Sequence, residues 1–346
     1  MHRRSGETPV SGIVAGTRIE AMLRLGFCLL LATISLDDSY GQPTSPGAKL
    51  IPVRLLTDWY PEPEHGGFYN ALVRGYYRAE GLEVTIVPGR PNKSTTELVS
   101  TGAGESGLAG SDQVLVDISR GLDLIAVGAT MQQDPQAIML HEDDPAMSFK
   151  DLDGRAVAVA PSSIWFQFLA QKFNLVHVKE VPVAFSVDTF LREPRYIQQV
   201  FVTAEPFFVE EAEAAKPKIW LIKDTGYAPY RVIFTTRKYL TENPEIVRSF
   251  VAASVRGWRD YIKDPSAANI EIAALNPEMD LKRMIFSWQA LKEGEFVYGP
   301  DPSGAIVGKF DPQRWTDMYK ILRGLNVITV DIDPQNAYTL AFVKDL

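Results

Sequence analysis

The sequence predicts an α/β fold: mainly parallel sheets flanked by helices, built from two successive sets of strands and helices, followed by a mostly helical C-terminal part. Three observations predict it. Short apolar runs alternate regularly with helical patterns from residue 51 to residue 224. The stretch HEDDPAMSFKDLDG interrupts that alternation once, and from Asn243 helical spacing takes over. A strand-helix-strand order of this kind is satisfied by parallel sheets covered on both faces.

In the first set, IPVRLLTDW reads as a strand, FYNALVRGYYRAEG as a helix ending at Gly81, and LEVTIVPG as a strand. STTELVSTG then gives a helix, SGLAGS a strand, DQVLVDISRG a helix and DLIAVGATM a strand. After the interruption come strand RAVAVAP, helix SIWFQFLAQKFN, strand KEVPVAF, helix VDTFLRE, strand QQVFVTA, helix EPFFVEEAEAAK and strand KIWLIKD. The plainest helix of the tail is NPEIVRSFVAASVRGWRDYIKDP. Val247, Phe250, Val251, Ser254, Val255, Trp258, Tyr261 and Ile262 share one face there, with Pro244 in the first turn and Pro265 past the end. DLKRMIFSWQALKEG, DPQRWTDMYKILRGL and DPQNAYTLAFVKDL read as further helices.

At 346 residues, 46% hydrophobic and 23% charged, the chain has enough length and apolar content for two domains. A formal net charge of -8, with no cluster of Lys and Arg after the N-terminal region, argues against a nucleic-acid partner, which needs cations to displace counterions. The N-terminal region has a basic start, Met22 as a candidate true start, the apolar run LGFCLLLATISL and small residues at Ser39 and Gly41. It reads as an export signal over 1–41, with an upstream extension and cleavage after Gly41; its apolar run is too short to span a membrane. This implies a periplasmic protein. A lipid anchor on Cys28, the only cysteine, is the alternative, and bulky Phe27 before it fits that processing poorly. Without Cys28 the mature chain has no disulfide and no thiol nucleophile.

Catalytic motifs are sparse. GAGESG carries Gly102, Gly104 and Gly107 at dinucleotide-binding spacing, but it follows a helix and leads into a strand, whereas the fingerprint must open a helix. There is no GxxxxGK, GxSxG or HExxH. The histidines, His2, His65, His141 and His177, lack ligand spacing, and the acidic run Glu142, Asp143, Asp144 reads as a solvated connection. The reading is therefore of a protein with no cofactor, no metal and no catalytic residue.

Polar and aromatic residues collect where ligands bind in open α/β sheets, at the carboxyl ends of strands. Asp58, Trp59 and Tyr60 follow the first strand, Ser111, Asp112 and Gln113 the third, and Gln132, Gln133 and Asp134 the fourth. Pro161, Ser162, Ser163 and Thr203, Ala204, Glu205 follow strands of the second set. The turn Trp59, Tyr60, Glu62, Glu64, His65 reads as an exposed, aromatic and acid-rich wall of a cleft. Tyr227 and Tyr230, at the return crossing in DTGYAPYRV, are candidates to close over it. An oxyanion calls for Arg, Lys or open helix N-termini. The candidates instead offer acceptor oxygens, amides and ring faces, which suit a ligand rich in N–H or O–H donors that can stack. A small nitrogen-bearing heterocycle fits this chemistry better than nitrate or a sulfonate.

The stretches TDWYPEPEHGGFYNALVRGYYRAEGLEVTIVPG, TELVSTGAGESGLAGSDQVL, FKDLDGRAVAVAP and TENPEIVRSFVAASVRGWRDYIKDP resemble the solute-binding proteins of ABC importers for nitrate, sulfonates, taurine and thiamine-precursor pyrimidines. The resemblance runs from about residue 50 to 264, more loosely beyond. It implies a two-lobed, type II periplasmic-binding-protein-like fold, with lobe I at 48–142 plus 234–346 and lobe II at 143–233. It also implies a monomer that closes on a small molecule and docks on a membrane permease. The WxPxxxHxG loop of the pyrimidine-type branch matches Trp59, Pro61, His65 and Gly67, which suggests a thiamine-precursor-like ligand; a sulfonate, nitrate or flavin-like ligand is the alternative. Pyrimidine-synthesising enzymes of the same family consume a histidine and use a cysteine-rich stretch. Here the corresponding position is Gln113 and the mature chain has no cysteine, so the expectation is binding without turnover.

Overall fold

The computed structural model describes residues 49–343 apart from 92, 162, 214, 215 and 302. The expected export signal, Met22, Cys28 and Ser162 lie outside the described residues. Two five-stranded sheets carry the fold. The first, in the order β2-β1-β3-β10-β4, contains β1 (Ile51–Leu56), β2 (Leu82–Val87), β3 (Ser106–Gly110), β4 (Leu124–Met131) and β10 (Arg231–Thr236). The second, β7-β6-β8-β5-β9, contains β5 (Gln136–Leu140), β6 (Ala156–Val159), β7 (Lys179–Pro182), β8 (Gln198–Phe201) and β9 (Lys218–Leu221).

In each sheet one strand runs against the rest. β10 is antiparallel to β3 and β4, and β5 is antiparallel to β8 and β9, while β1/β2, β1/β3, β6/β7 and β6/β8 are parallel. The reversed strands are the first ones reached after the chain crosses between sheets, at 132–135 and at 222–230. A chain leaving the carboxyl end of one sheet enters the other from the same side and must run away from it. The sequence-based expectation contains neither strand, because QAIML and RVIFTT follow a crossing rather than a helix and their partners are remote in sequence.

Two corrections follow. β5 belongs to the second sheet, so the first crossing lies ahead of the boundary expected at 142/143. The acidic run is not wholly solvated either: Asp144 is buried and accepts both Arg155 Nη1 and Nη2 at 2.7 Å, while Glu142 and Asp143 are exposed.

The helices of the first half are α1 (Gly66–Val73), α2 (Tyr76–Ala79), α3 (Thr95–Ser100) and α4 (Ser111–Ser119). The helix expected over 68–81 is thus broken in two, at Gly75, whose φ of 73° lies in the left-handed region that glycine enters without penalty. α5 (Ile164–Phe173), α6 (Asp188–Arg192) and α7 (Glu205–Glu213) accompany the second sheet. The C-terminal part supplies α8 (Arg237–Glu242), α9 (Pro244–Tyr261), α10 (Ser266–Leu275), α11 (Leu281–Glu293) and α12 (Pro312–Gly324). All eight residues expected on one face of α9 are buried, and that face packs on α1 and α2. The 333–346 helix is absent from the described part, where only a 3-10 turn at Pro334–Ala337 forms. Among the described residues no helix is long and apolar enough to cross a membrane.

Candidate functional site

The strand directions aim one edge of each sheet at a shared cleft. Parallel strands deliver their carboxyl ends there, and the reversed strands deliver their first residues, Gln136 of β5 and Arg231 of β10. A cavity of about 260 Å³ occupies the cleft, walled by the turn after β1, by the loop after β7, by the β8–α7 junction and by Arg283 of α11. A second cavity of about 380 Å³ adjoins it, and both are lined by Asp58, Leu108, Gln136, Phe201 and Arg231.

The turn after β1 is held tightly. Thr57 Oγ1 donates to the Trp59 carbonyl at 2.8 Å, and Gly89 N–H donates to the same carbonyl at 3.0 Å. Trp59 meets Tyr60 edge-on at 5.5 Å and also meets Phe185, from beyond β7, at 5.5 Å with a 51° tilt. Trp59 and Phe185 therefore pair across the cleft. His65 lies between the Tyr60 carbonyl and Asp58 Oδ1, each at 3.1 Å, and Asp58 is also paired with the Arg231 guanidinium. Burial pushes the His65 imidazole down to about 4, so it is neutral at pH 7 and can donate to only one of those two acceptors.

The turn is not exposed as the sequence suggests. Glu62, Glu64 and His65 are buried, because the chain drops into the cleft before α1. Glu64 Oε1 accepts from Thr203 Oγ1, whose own carbonyl accepts from Ser287 Oγ at 2.6 Å. Burial holds Glu62 well above the usual carboxylate range, raises Glu64, and pushes Glu205 up to about 7. The first cavity is lined by four carboxyl side chains, Asp58, Glu62, Glu64 and Glu205, against two guanidiniums, Arg231 and Arg283. Arg283 approaches Glu62 to 3.9 Å, and burial lowers Arg231 to about 10.

Of the residues singled out from sequence, Asp58, Trp59, Glu62, Glu64, His65, Ala204 and Glu205 line the first cavity, and Asp58, Asp112, Gln113, Asp134 and Tyr227 line the second. The others stand apart. Tyr60 is exposed, its ring outside the lining. Ser111 is buried and accepts the Tyr230 N–H at 3.0 Å, so it braces the crossing. Tyr230 packs into the core against Phe310 and Trp315, with the Arg314 guanidinium 3.7 Å from its ring centroid. Gln133 lines neither cavity; its backbone N–H donates to the Phe296 carbonyl. Ser163 donates to the Ala160 carbonyl at 2.7 Å and lines a groove that shares Asp112, Gln113 and Trp165 with the second cavity. Both hydroxyls are thus spent on main-chain groups, Ser111 on the crossing and Ser163 on the turn before α5.

Sequence reasoning misses Phe185, Phe201, Phe208, Gln136, Arg231 and Arg283. Arg231 and Gln136 were findable from the reversed strands; Arg283 comes from α11 and carries no local signal. The presence of two arginines corrects the expectation of a cleft without cations, although both face carboxylates. Among the described residues no group of three or more His, Cys, Asp or Glu could hold a metal ion.

The carboxyl pKa shifts imply a pH profile for the empty protein. Glu205 rises from 4.5 to about 7 and Asp134 from 3.8 to about 7, both through burial. Between those limits the folded protein keeps protons that the unfolded chain releases, so stability falls as pH rises from about 4 to about 7 and levels off above. Thermal melting across that range should show the decline, offset in part by His65, whose depressed imidazole acts in the opposite sense, and Glu205→Gln should reduce it, leaving the share due to Asp134.

Comparison with known proteins places residues 62–268 in the family described as NMT1/THI5 like. The riboflavin-binding protein RibY of Chloroflexus aurantiacus is 24% identical over 93% of this chain and 97% of its own length. The formylaminopyrimidine-binding protein of Halalkalibacterium halodurans is 23% identical over 69% of this chain and 75% of its own. Further relatives are named 4-amino-5-hydroxymethyl-2-methylpyrimidine phosphate synthase. Among solved structures, the putative periplasmic sulfonate-binding protein SsuA from Methylobacillus flagellatus superposes with a TM-score of 0.64 at 15% identity, covering 86% of this chain and 94% of that one. That likeness is one of fold.

Proposed function

Because the chain belongs to the NMT1/THI5-like family, we propose that it is the exported solute-binding protein of an ABC importer and holds a small, planar nitrogen heterocycle between its two sheets. The observation that carries this reading is the first cavity itself, where the Trp59 and Phe185 rings stand beside more carboxyl groups than guanidiniums. Buried carboxyl groups need donors, and a heterocycle bearing amino or ring N–H groups supplies them on a face that also stacks. A sulfonate or nitrate offers acceptors only, and the two guanidiniums that could answer them already face carboxyl groups, Arg231 paired with Asp58 and Arg283 3.9 Å from Glu62.

Lobe I in this reading is the first sheet with the C-terminal helices, and lobe II the second sheet with α5, α6 and α7. The cleft lies between them and the crossings at 132–135 and 222–230 act as hinges. Ligand contacts made to both lobes only when they are together shift the population toward closure, and the closed form docks on a permease. The relatives' names support either a pyrimidine or a flavin ring. The synthase names among them support turnover as a second reading; against it, the resemblance sets Gln113 where those enzymes carry the histidine they consume, and its amide donates to Asp117 at 2.8 Å.

A thermal-shift screen tests the proposal. Aminopyrimidines or flavins should raise the melting temperature, by the equivalent of about 2.7 kcal/mol at 100 times Kd, while taurine and nitrate leave it unmoved. The reverse pattern would assign an oxyanion, and product formed from a bound pyrimidine would assign an enzyme.

A further inference from the structure

Resting on the ring-binding reading, we infer that the cleft has a second compartment for a hydroxylated chain carried by the heterocycle, with Asp112 and Asp134 accepting from its hydroxyl groups. The second cavity opens from the first across the Asp58–Arg231 pair, Gln136 and Phe201. Its walls differ in kind. Trp59, Phe185 and Phe208 stay with the first cavity, and the second instead has Asp112, Asp134, Gln113 and Lys93, with Trp165 and Tyr227 on its side.

Asp134 is 8% exposed and only half satisfied. Its Oδ1 accepts the Gln136 N–H at 2.8 Å, and its Oδ2 has nothing nearer than the Arg231 guanidinium at 3.9 Å, too far for a hydrogen bond. Asp112 Oδ2 accepts from Tyr227 Oη at 2.5 Å. Neither carboxylate touches the ring cavity, so the ring leaves both unused. The walls also bring donors, Lys93 and Arg231. An ammonium group can only donate and would add a further cation beside Lys93 and the Arg231 guanidinium. A phosphate can only accept and would be pushed off by two carboxylates. Hydroxyl groups do both, and a short chain bearing several of them matches a wall of mixed acceptors and donors.

Calorimetric titration with paired probes tests this, each pair sharing a ring and differing in the chain: riboflavin against lumichrome, and cytidine against cytosine. For at least one pair the chain-bearing member should bind about 10-fold tighter or more, the scale of hydrogen bonds to charged groups. In Asp134→Asn the ratio within that pair should fall toward one. Asp112→Asn provides a second, independent variant, and the melting temperature of each shows that it is folded. Equal affinities within both pairs, or a ratio unchanged in both variants, overturns the inference while leaving the ring reading intact. Riboflavin 5′-phosphate binding more tightly than riboflavin overturns it in favour of an anion compartment. If no member of either pair binds, the ring reading falls and this one falls with it.

Discussion

Replacing Gly257 by alanine is expected to destabilise the protein by about 3 kcal/mol, the upper range for forced overpacking. Gly257 lies on the buried face of α9 where α1 crosses it. A Cβ there would sit 2.2 Å from the Gly67 carbonyl oxygen, 2.7 Å from Ala71 Cβ and 2.9 Å from the Ala71 nitrogen. Each of those is main chain or Cβ, so no rotamer change makes room. The contact is closed from the other side too, since a Cβ on Gly66 or Gly67 would enter the Tyr261 or Trp258 ring. Asn70 Nδ2 donates to the Gly257 carbonyl at 3.0 Å and pins the crossing. Alanine's gain in helix propensity, about 1 kcal/mol over glycine, does not offset the clash. Gly324, in the last turn of α12 with nothing within 4 Å, is the control: alanine there should leave stability unchanged or raise it slightly. Urea unfolding midpoints of both variants check the pair. Because α1 starts directly after the turn that carries Trp59, Glu62, Glu64 and His65, the Gly257 variant should also weaken ligand binding.

That crossing shows what the sequence could and could not reveal. The apolar face of α9 was legible from spacing alone, because a 3.6-residue period needs no knowledge of the partner helix. Which glycines were required was not legible, since closeness between α1 and α9 depends on two segments about 190 residues apart. The same division runs through the cleft. Asp58, Trp59, Glu205 and Asp112 could be placed because a strand's carboxyl end predicts where the next side chains point. Tyr230 and Ser111 occupy comparable positions in sequence yet face the core and the crossing, a difference set by packing against Phe310, Trp315 and Arg314. Arg231 and Gln136 depended on recognising strands that run backwards, and their short apolar runs gave no direction.

Removing either ring of the cross-cleft pair should lower ligand affinity, and the two removals should act oppositely on stability. Trp59→Ala deletes a stacking face, for which about 1–3 kcal/mol per stacked base is typical, so a 10- to 100-fold weakening is expected together with some loss of stability. Phe185 is a different case. Its φ of 53° lies in the left-handed region, its side chain is 44% exposed, and its ring rests on Trp59 at 5.5 Å, too close for a ligand ring to lie between them without Phe185 moving. An aromatic residue held so costs about 1–2 kcal/mol, and such strain collects at binding sites. Glycine relieves that cost and adds about 0.5–1 kcal/mol of backbone entropy loss, so Phe185→Gly should melt no lower than the parent while binding a planar ligand about 10-fold more weakly. A stabilised protein that binds less well would identify Phe185 as a residue kept for its grip. Tighter binding by Phe185→Gly would instead make the ring a plug over Trp59, and a fall in melting temperature with unchanged affinity would make it ordinary packing.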